Sequence, residues 1–427
     1  MKLKTTRTSL ASEITGLAIE TDKFKTTRIT LSFVLPLSPL DASLASILTK
    51  LLTRSTAEYP TAVALQRKLL SLYGARFSSY VSKLGDNQLL NISISFIHDR
   101  FALGQQSISR ESTDFLCKAV FSPNLITEQF DHNDFEVCRR LLLESIESSI
   151  NDKRKYAISK LYSLMCDQEP FGIEPGGDIA TAKKIEPKQA AEYWANVLKT
   201  APVIITVIGN QDASPIFQQI LGHFDRIDRS PCSISPCFDY KHPQSVREHA
   251  ETMQLTQGKL VMGFRSPISS INQDNMALRM MCDIWGGAPY SKLFTVVREQ
   301  QSLCYYCAAR LISPKGILCV DSGVDNENIT AARQGILDQL TAIQQGDFDQ
   351  DVIDACQMSM ADGATSVTDT PSSIEAWYLA RIFNESMENP DEFIARLHEI
   401  TKEDIIAAAK TVTLDTVYVL QGQEERK

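Results

Sequence analysis

Apolar residues recur along this chain with two periods. In "DASLASILTKLLTRST", Leu44, Ile47, Leu48, Leu51 and Leu52 fall three or four apart, the stripe of a helix with one buried face. Ser46, Thr49 and Lys50 take the opposite face. In "APVIITVIGN" a short apolar run bounded by turn residues reads as a buried strand. Applied along the first half, these patterns predict strand 27–35, helices 41–56 and 60–72, strands 75–83 and 87–96, and helix 99–118. Long helices follow over about 131–168, then helix 187–199 and strand 202–209. The second half reads as strand 258–265, helices 271–285 and 290–300, and strands 303–311 and 316–323. Helices at about 328–345, 349–363, 371–386 and 391–410 then precede strand 416–421.

Neighbouring strands joined by short turns such as "KLGDNQ" favour antiparallel pairing. Helices clustered after the strands suggest an α+β fold with helices packed on one face of each sheet. The segment 225–244 carries Pro231, Pro236 and Pro243 with several serines and has no periodicity, so it reads as a linker. Expected domains are therefore 1–224 and 245–427.

The two halves resemble each other. "IEPKQAAEYWANVLKTAPVIITVIGN" closes the first and "ITKEDIIAAAKTVTLDTVYVLQG" the second, each a helix followed by an apolar strand. Ile185 and Ile400 are 215 residues apart, Gly209 and Gly422 are 213 apart, and Phe130 and Phe348 are 218 apart. Three landmarks at nearly one offset argue for an internal duplication.

The chain has 427 residues, 43% of them hydrophobic, and a net charge of −9. That length fits two domains with sizeable cores, and the acidic balance argues against a nucleic-acid partner. Without an apolar run long enough to span a bilayer or a secretory h-region, no membrane association and a cytoplasmic location are expected. The ten cysteines form no framework and read mainly as small buried hydrophobes. Cys304 and Cys307 form a CxxC on an expected strand. Strand side chains alternate, so the two are expected to face opposite ways and share no metal. The six histidines have no metal-site spacing.

One stretch carries candidate chemistry. "LFTVVREQQSLCYY" starts as a helix, with Leu293, Phe294 and Val297 on one stripe, and ends as a strand. Arg298 precedes Tyr305 by seven residues. Alone, Arg298 could simply pair with Glu299, and Tyr305 could lie half-buried in a sheet. Gly286 and Gly287 just upstream read as a helix cap.

With the duplication and "GGAPYSKLFTVVREQQSLCYY", the chain resembles the M16 metallopeptidases (insulinase/pitrilysin-type, mitochondrial-processing-peptidase-like). "NDKRKYAISKLYSLMCDQEPFG" resembles their YmfF-like bacterial branch. The resemblance covers nearly the whole chain and implies two homologous α+β domains of the LuxS/processing-peptidase kind. It implies that one subunit carries an inverted HxxEH zinc motif while the other can lack it and supply an arginine–tyrosine pair. Here Ser46, Thr49 and Lys50 stand where the motif's His, Glu and His would be, and Glu144 lies near the third ligand's place. The resemblance therefore implies no metal in this chain and zinc in a partner. Arg298 and Tyr305 would act in that partner's site on a peptide substrate. The implied assembly is a heterodimer with a zinc-bearing M16 homologue, in which this chain has no activity of its own. A scaffold role without any part in hydrolysis is the alternative.

Overall fold

A computed structural model describes residues 3–104, 106–232, 238–382 and 386–422. The chain divides into two compact units, and neither is a single run of sequence. Among the described residues the first takes 3–148, 173–232 and 370–382, and the second takes 149–172, 238–369 and 386–422. The sequential division at 225–244 is thus replaced by one in which each half lends a segment to the other unit. The expected linker is also tied down in part: the Cys232 N–H donates to the Thr200 carbonyl at 2.8 Å, while 233–237 lie outside the described residues.

The first unit holds a six-stranded sheet built from β1 (Lys4–Ala11), β2 (Ile14–Glu20), β3 (Thr26–Pro36), β4 (Arg76–Leu84), β5 (Asn87–Ile97) and β6 (Val203–Gly209). Its order is β4-β5-β3-β6-β2-β1. All pairs are antiparallel except β2 with β6. Ile29, Leu31 and Phe33 of β3 enter the core beside helices Pro39–Leu51 and Pro187–Thr200. Phe33 meets Trp194 edge-on at 5.1 Å, and the Trp194 indole N–H donates to the Val120 carbonyl. A buried indole needs such a partner.

The second unit repeats the plan with β7 (Arg247–Met253), β8 (Gly258–Arg265), β9 (Tyr306–Ile312), β10 (Ile317–Val324) and β11 (Thr413–Gly422). Its order, β9-β10-β8-β11-β7, matches the first sheet strand for strand, with β7 and β11 the one parallel pair. The first sheet differs only by the added edge β1. The internal duplication is therefore visible as topology.

The lent segments obey the same repeat. Helix Lys153–Met165 begins 218 residues before helix Pro371–Leu379, the offset already seen for Phe130 and Phe348. In the second unit, Phe264 of β8 meets Trp285 of helix Met276–Gly286 on one face of the sheet. Val261, three residues earlier, points to the other face and packs with Ala157, Ile158 and Leu161 of the lent helix. In the first unit, helix Pro371–Leu379 is held by Arg28 of β3 through Glu375 and by Thr5 of β1 through Tyr378. The expected helical layer is present, and a further helix from the other half joins each sheet.

Caps set the helix boundaries within two expected helical stretches. The Asp152 carboxylate accepts the Lys155 N–H and starts helix Lys153–Met165 anew after His132–Ser148. Thr401 and Asp404 form a capping box that separates Lys402–Lys410 from Pro390–Leu397. Among the described residues no helix is long and apolar enough to cross a membrane.

Candidate functional site

The stretch around Arg298 is neither an ordinary helix nor a simple junction. Leu293–Gln300 is π-helical, and the Gln301 N–H reaches back five residues to the Val296 carbonyl at 2.9 Å. Such widened turns concentrate at functional sites. Leu293 and Val297 anchor the segment in the core, as their spacing predicts. The chain then leaves through Ser302 in the left-handed region (φ 53°), bends at Tyr305 and enters β9.

This geometry leaves Arg298 and Tyr305 near solvent with separate partners. The Arg298 guanidinium lies 4.4 Å from the centroid of the Phe294 ring, and its Nε is 3.5 Å from Glu299 Oε1. The side chain remains 37% exposed. Tyr305 is 59% exposed, with its backbone N–H fixed to the Gly323 carbonyl at 2.9 Å. Its hydroxyl donates to the Asp325 carboxylate, 3.2 Å from Oδ2. The negative charge of Asp325 raises the phenol's pKa, so the hydroxyl keeps its proton and stays a donor.

Gly286 and Gly287 do more than end a helix. Neither is left-handed: Gly287 closes Met276–Gly286 with φ −83°. A Cβ on Gly286 would stand 2.6 Å from the Ala309 nitrogen and 2.7 Å from a Leu293 methyl. The helix thus approaches β9 and the π-turn at backbone distance, which only glycine allows.

The helix aligned with the zinc motif is closed. Eight of the thirteen residues of Pro39–Leu51 are buried, Ser46 among them. The Ser46 hydroxyl donates to the Pro175 carbonyl at 2.9 Å, and Thr49 donates to the Ser46 carbonyl at 2.7 Å. Ser46 therefore faces the 173–178 loop, not an open polar face. Gly177, at φ +80°, lies so close to the helix that a Cβ would strike Ser43. Glu144 is an exposed carboxylate near Arg140 at 3.8 Å. Two hydroxyls that donate to backbone carbonyls, a lysine and an exposed carboxylate do not form a zinc donor set.

Cys304 precedes β9, whereas Cys307 lies on it opposite Ser322, and both are buried. The bend at Tyr305 lies between them.

The duplicated α+β units and the helix without zinc donors resemble an M16 metallopeptidase homologue that lacks the HxxEH motif. Residues 184–360 match the Peptidase M16 inactive domain. The chain is 28% identical over 412 residues, 96% of each chain, to a Bacillus subtilis protein named "Probable inactive metalloprotease YmfF". Among solved structures, a conserved protein from Enterococcus faecalis superposes with TM-score 0.91 at 26% identity, covering 99% of this chain and 100% of the other. An M16 inactive-domain structure from Pseudomonas fluorescens gives TM-score 0.79 at 15% identity, with 100% of both chains covered, and shares the fold.

Proposed function

We propose that this chain is the catalytically incomplete subunit of a heteromeric M16 zinc peptidase. It supplies Arg298 and Tyr305 in trans to the site of a zinc-bearing M16 homologue, where they bind the peptide substrate and stabilise its oxyanion. It has no independent activity, and zinc belongs to the partner. The observation that supports this reading is the contrast between two segments. Ser46 is sealed against Pro175, whereas Tyr305 stands 59% exposed on a stretch anchored by Leu293 and Val297.

Peptide hydrolysis passes through a tetrahedral oxyanion, and donors aimed at the developing charge lower its barrier. Arg298 offers a permanent charge and a planar fork, and Tyr305 offers one hydroxyl proton. Both now face partners on their own chain, and Tyr305 must turn from Asp325 to reach a substrate. Those in-chain partners also support the alternative, a scaffold subunit in which the pair only shapes the surface.

The deciding experiment measures zinc content and peptide cleavage for this chain, for a zinc-bearing homologue, and for their mixture. Cleavage restored only in the mixture supports the proposal. Complex formation without restored cleavage supports the scaffold reading, and zinc with hydrolysis in this chain alone rejects both.

A further inference from the structure

In the second unit the register of the sheet sets four polar side chains on one face. Lys259 of β8, Asp321 of β10, and Tyr306 and Arg310 of β9 stand on the side where Val261 packs against the lent helix Lys153–Met165. Gly323 lies opposite both Lys259 and Tyr306, and a Cβ there would come 2.5 Å from the Tyr306 ring. The ring thus leans across the glycine toward Lys259, whose Nζ is 5.5 Å from its centroid. The Arg154 guanidinium of the lent helix lies over the same ring at 4.5 Å.

Asp321 is the one carboxylate in this group, and its side chain is 1% exposed. Arg154 grips it twice, Nε to Oδ2 at 2.5 Å and Nη2 to Oδ1 at 3.2 Å. That pair already supplies the counter-charge a buried carboxylate needs. Arg310 nevertheless adds a third bond, Nη2 to Oδ1 at 2.7 Å. Lys259 hydrogen-bonds the neutral Gln257 side chain at 2.5 Å. Three cations therefore surround one carboxylate, and two positive charges are left over. Other acids nearby do not cancel them: Asp152 is engaged by Lys155 at 3.3 Å, and Glu251, two strands beyond Lys259, accepts from Tyr156 and Tyr418. The crowding is felt at Lys259, whose pKa is lowered by burial and then by the Arg154 charge.

The first unit shows that docking a lent helix does not require this excess. There one cation, Arg28, meets one carboxylate, Glu375, and both side chains are largely buried. In the second unit the side chains of Arg154 and Arg310 are 44% and 42% exposed. Among the described residues, Arg154 Nη1 and Arg310 Nε and Nη1 have no acceptor. Two guanidinium forks fixed by a buried carboxylate, with free N–H groups and a lysine beside them, have the make-up of an oxyanion receptor.

We propose that this face of the second sheet binds a phosphate dianion, free or as a phosphomonoester, between Arg154, Arg310 and Lys259. The two surplus charges match a phosphoryl group, which carries about −1.5 to −2 near neutral pH, better than the single charge of a carboxylate. Both oxygens of Asp321 already accept from arginine, so the carboxylate is screened from the incoming anion. The inference does not rest on the proposed function.

The test is calorimetric titration of the full-length chain with inorganic phosphate at neutral pH, with ionic strength held constant by chloride. One phosphate per chain is expected. Arg310→Gln leaves the Arg154–Asp321 pair in place, and Lys259→Met removes a cation outside it, so both variants should fold; thermal melts without phosphate check this. Each is expected to weaken binding about tenfold or more, the scale of one lost charge-assisted hydrogen bond. Acetate should bind about tenfold more weakly than phosphate or worse, since it brings one charge for two. N-acetyl-phosphoserine amide distinguishes the sources: tighter binding than phosphate supports a phosphomonoester, and weaker binding supports free phosphate. Phosphate that neither binds nor raises the melting temperature beyond chloride overturns the proposal, as does equal affinity in wild type and both variants. Acetate binding as tightly as phosphate overturns the assignment of a dianion.

Discussion

Arg28 and Glu375 are 347 residues apart in sequence, yet Arg28 Nε meets Glu375 Oε2 at 2.8 Å within the first unit. The Glu375 side chain is 1% exposed and that of Arg28 14%. A residue of β3 and a helix from the far end of the chain thus depend on each other for charge compensation.

Glu375→Ala is expected to leave Arg28 buried without its partner and to lower stability by ~3 kcal/mol, the scale found for breaking a buried ion pair. Urea denaturation checks this. Replacing both residues by leucine should recover a large part of the loss, because the desolvation of both charges is then also removed.

The reciprocal lending of helices makes a second prediction. A fragment comprising 245–427 lacks Lys153–Met165, so Val261, Cys319, Tyr418 and Leu420 lose the side chains that cover them. It should bind an apolar dye and exchange its β8 and β11 amides rapidly. Adding a peptide of residues 149–172 should suppress both signals.

Much of the fold is legible in the sequence, and the omissions have physical reasons. Strand 258–265 was expected and found at Gly258–Arg265, because its apolar run is buried on both faces. β1, β2 and β7 escaped detection: "KTTRTSLA" and "REHAETM" lie largely exposed and show no alternation, and the apolar run of the buried "ITGLAIE" is interrupted by Thr15 and Gly16. The capping box of Thr401 with Asp404 lies inside a stretch whose periodicity predicts one continuous helix over 391–410. Periodicity reveals that Lys153–Met165 buries a face, not which sheet covers it. At the candidate site, Arg298 and Tyr305 were legible as positions. The π-turn, the bend and the neighbours Phe294 and Asp325 depend on backbone geometry that no residue pattern announces.

A third prediction concerns acid stability. Arg265, 4% exposed, bridges Asp415 at 2.6 Å and Glu169 at 2.7 Å, and Lys315 also meets Glu169. Burial alone would raise both carboxyls. Lys315 and Arg265 overcome this for Glu169, and Thr416, Arg247 and Arg265 do so for Asp415, so both lie below their usual values of 4.5 and 3.8. Their contribution is therefore present above those values and lost as pH falls below them. Stability should drop steeply below about pH 4.5. Asp415→Asn should be less stable at neutral pH and show a shallower acid decline, as read by thermal melts across pH.

The glycine pair offers a fourth. Gly286→Ala sets a methyl 2.6 Å from the Ala309 nitrogen of β9, a backbone atom that cannot swing away. A loss of ~1–3 kcal/mol is expected from overpacking, measurable by denaturant titration. Because the same methyl presses on Leu293, the π-turn carrying Arg298 should shift with it.

The most direct test of the central claim is the turnover of the reconstituted pair carrying Arg298→Ala, beside wild type and beside this chain alone. Donors to an oxyanion are worth about 10²–10³ in kcat. A loss of that size is expected in the mixture, with complex formation unchanged and no hydrolysis by this chain alone. Activity of the Arg298→Ala pair within about twofold of wild type, against that expected loss, would contradict it.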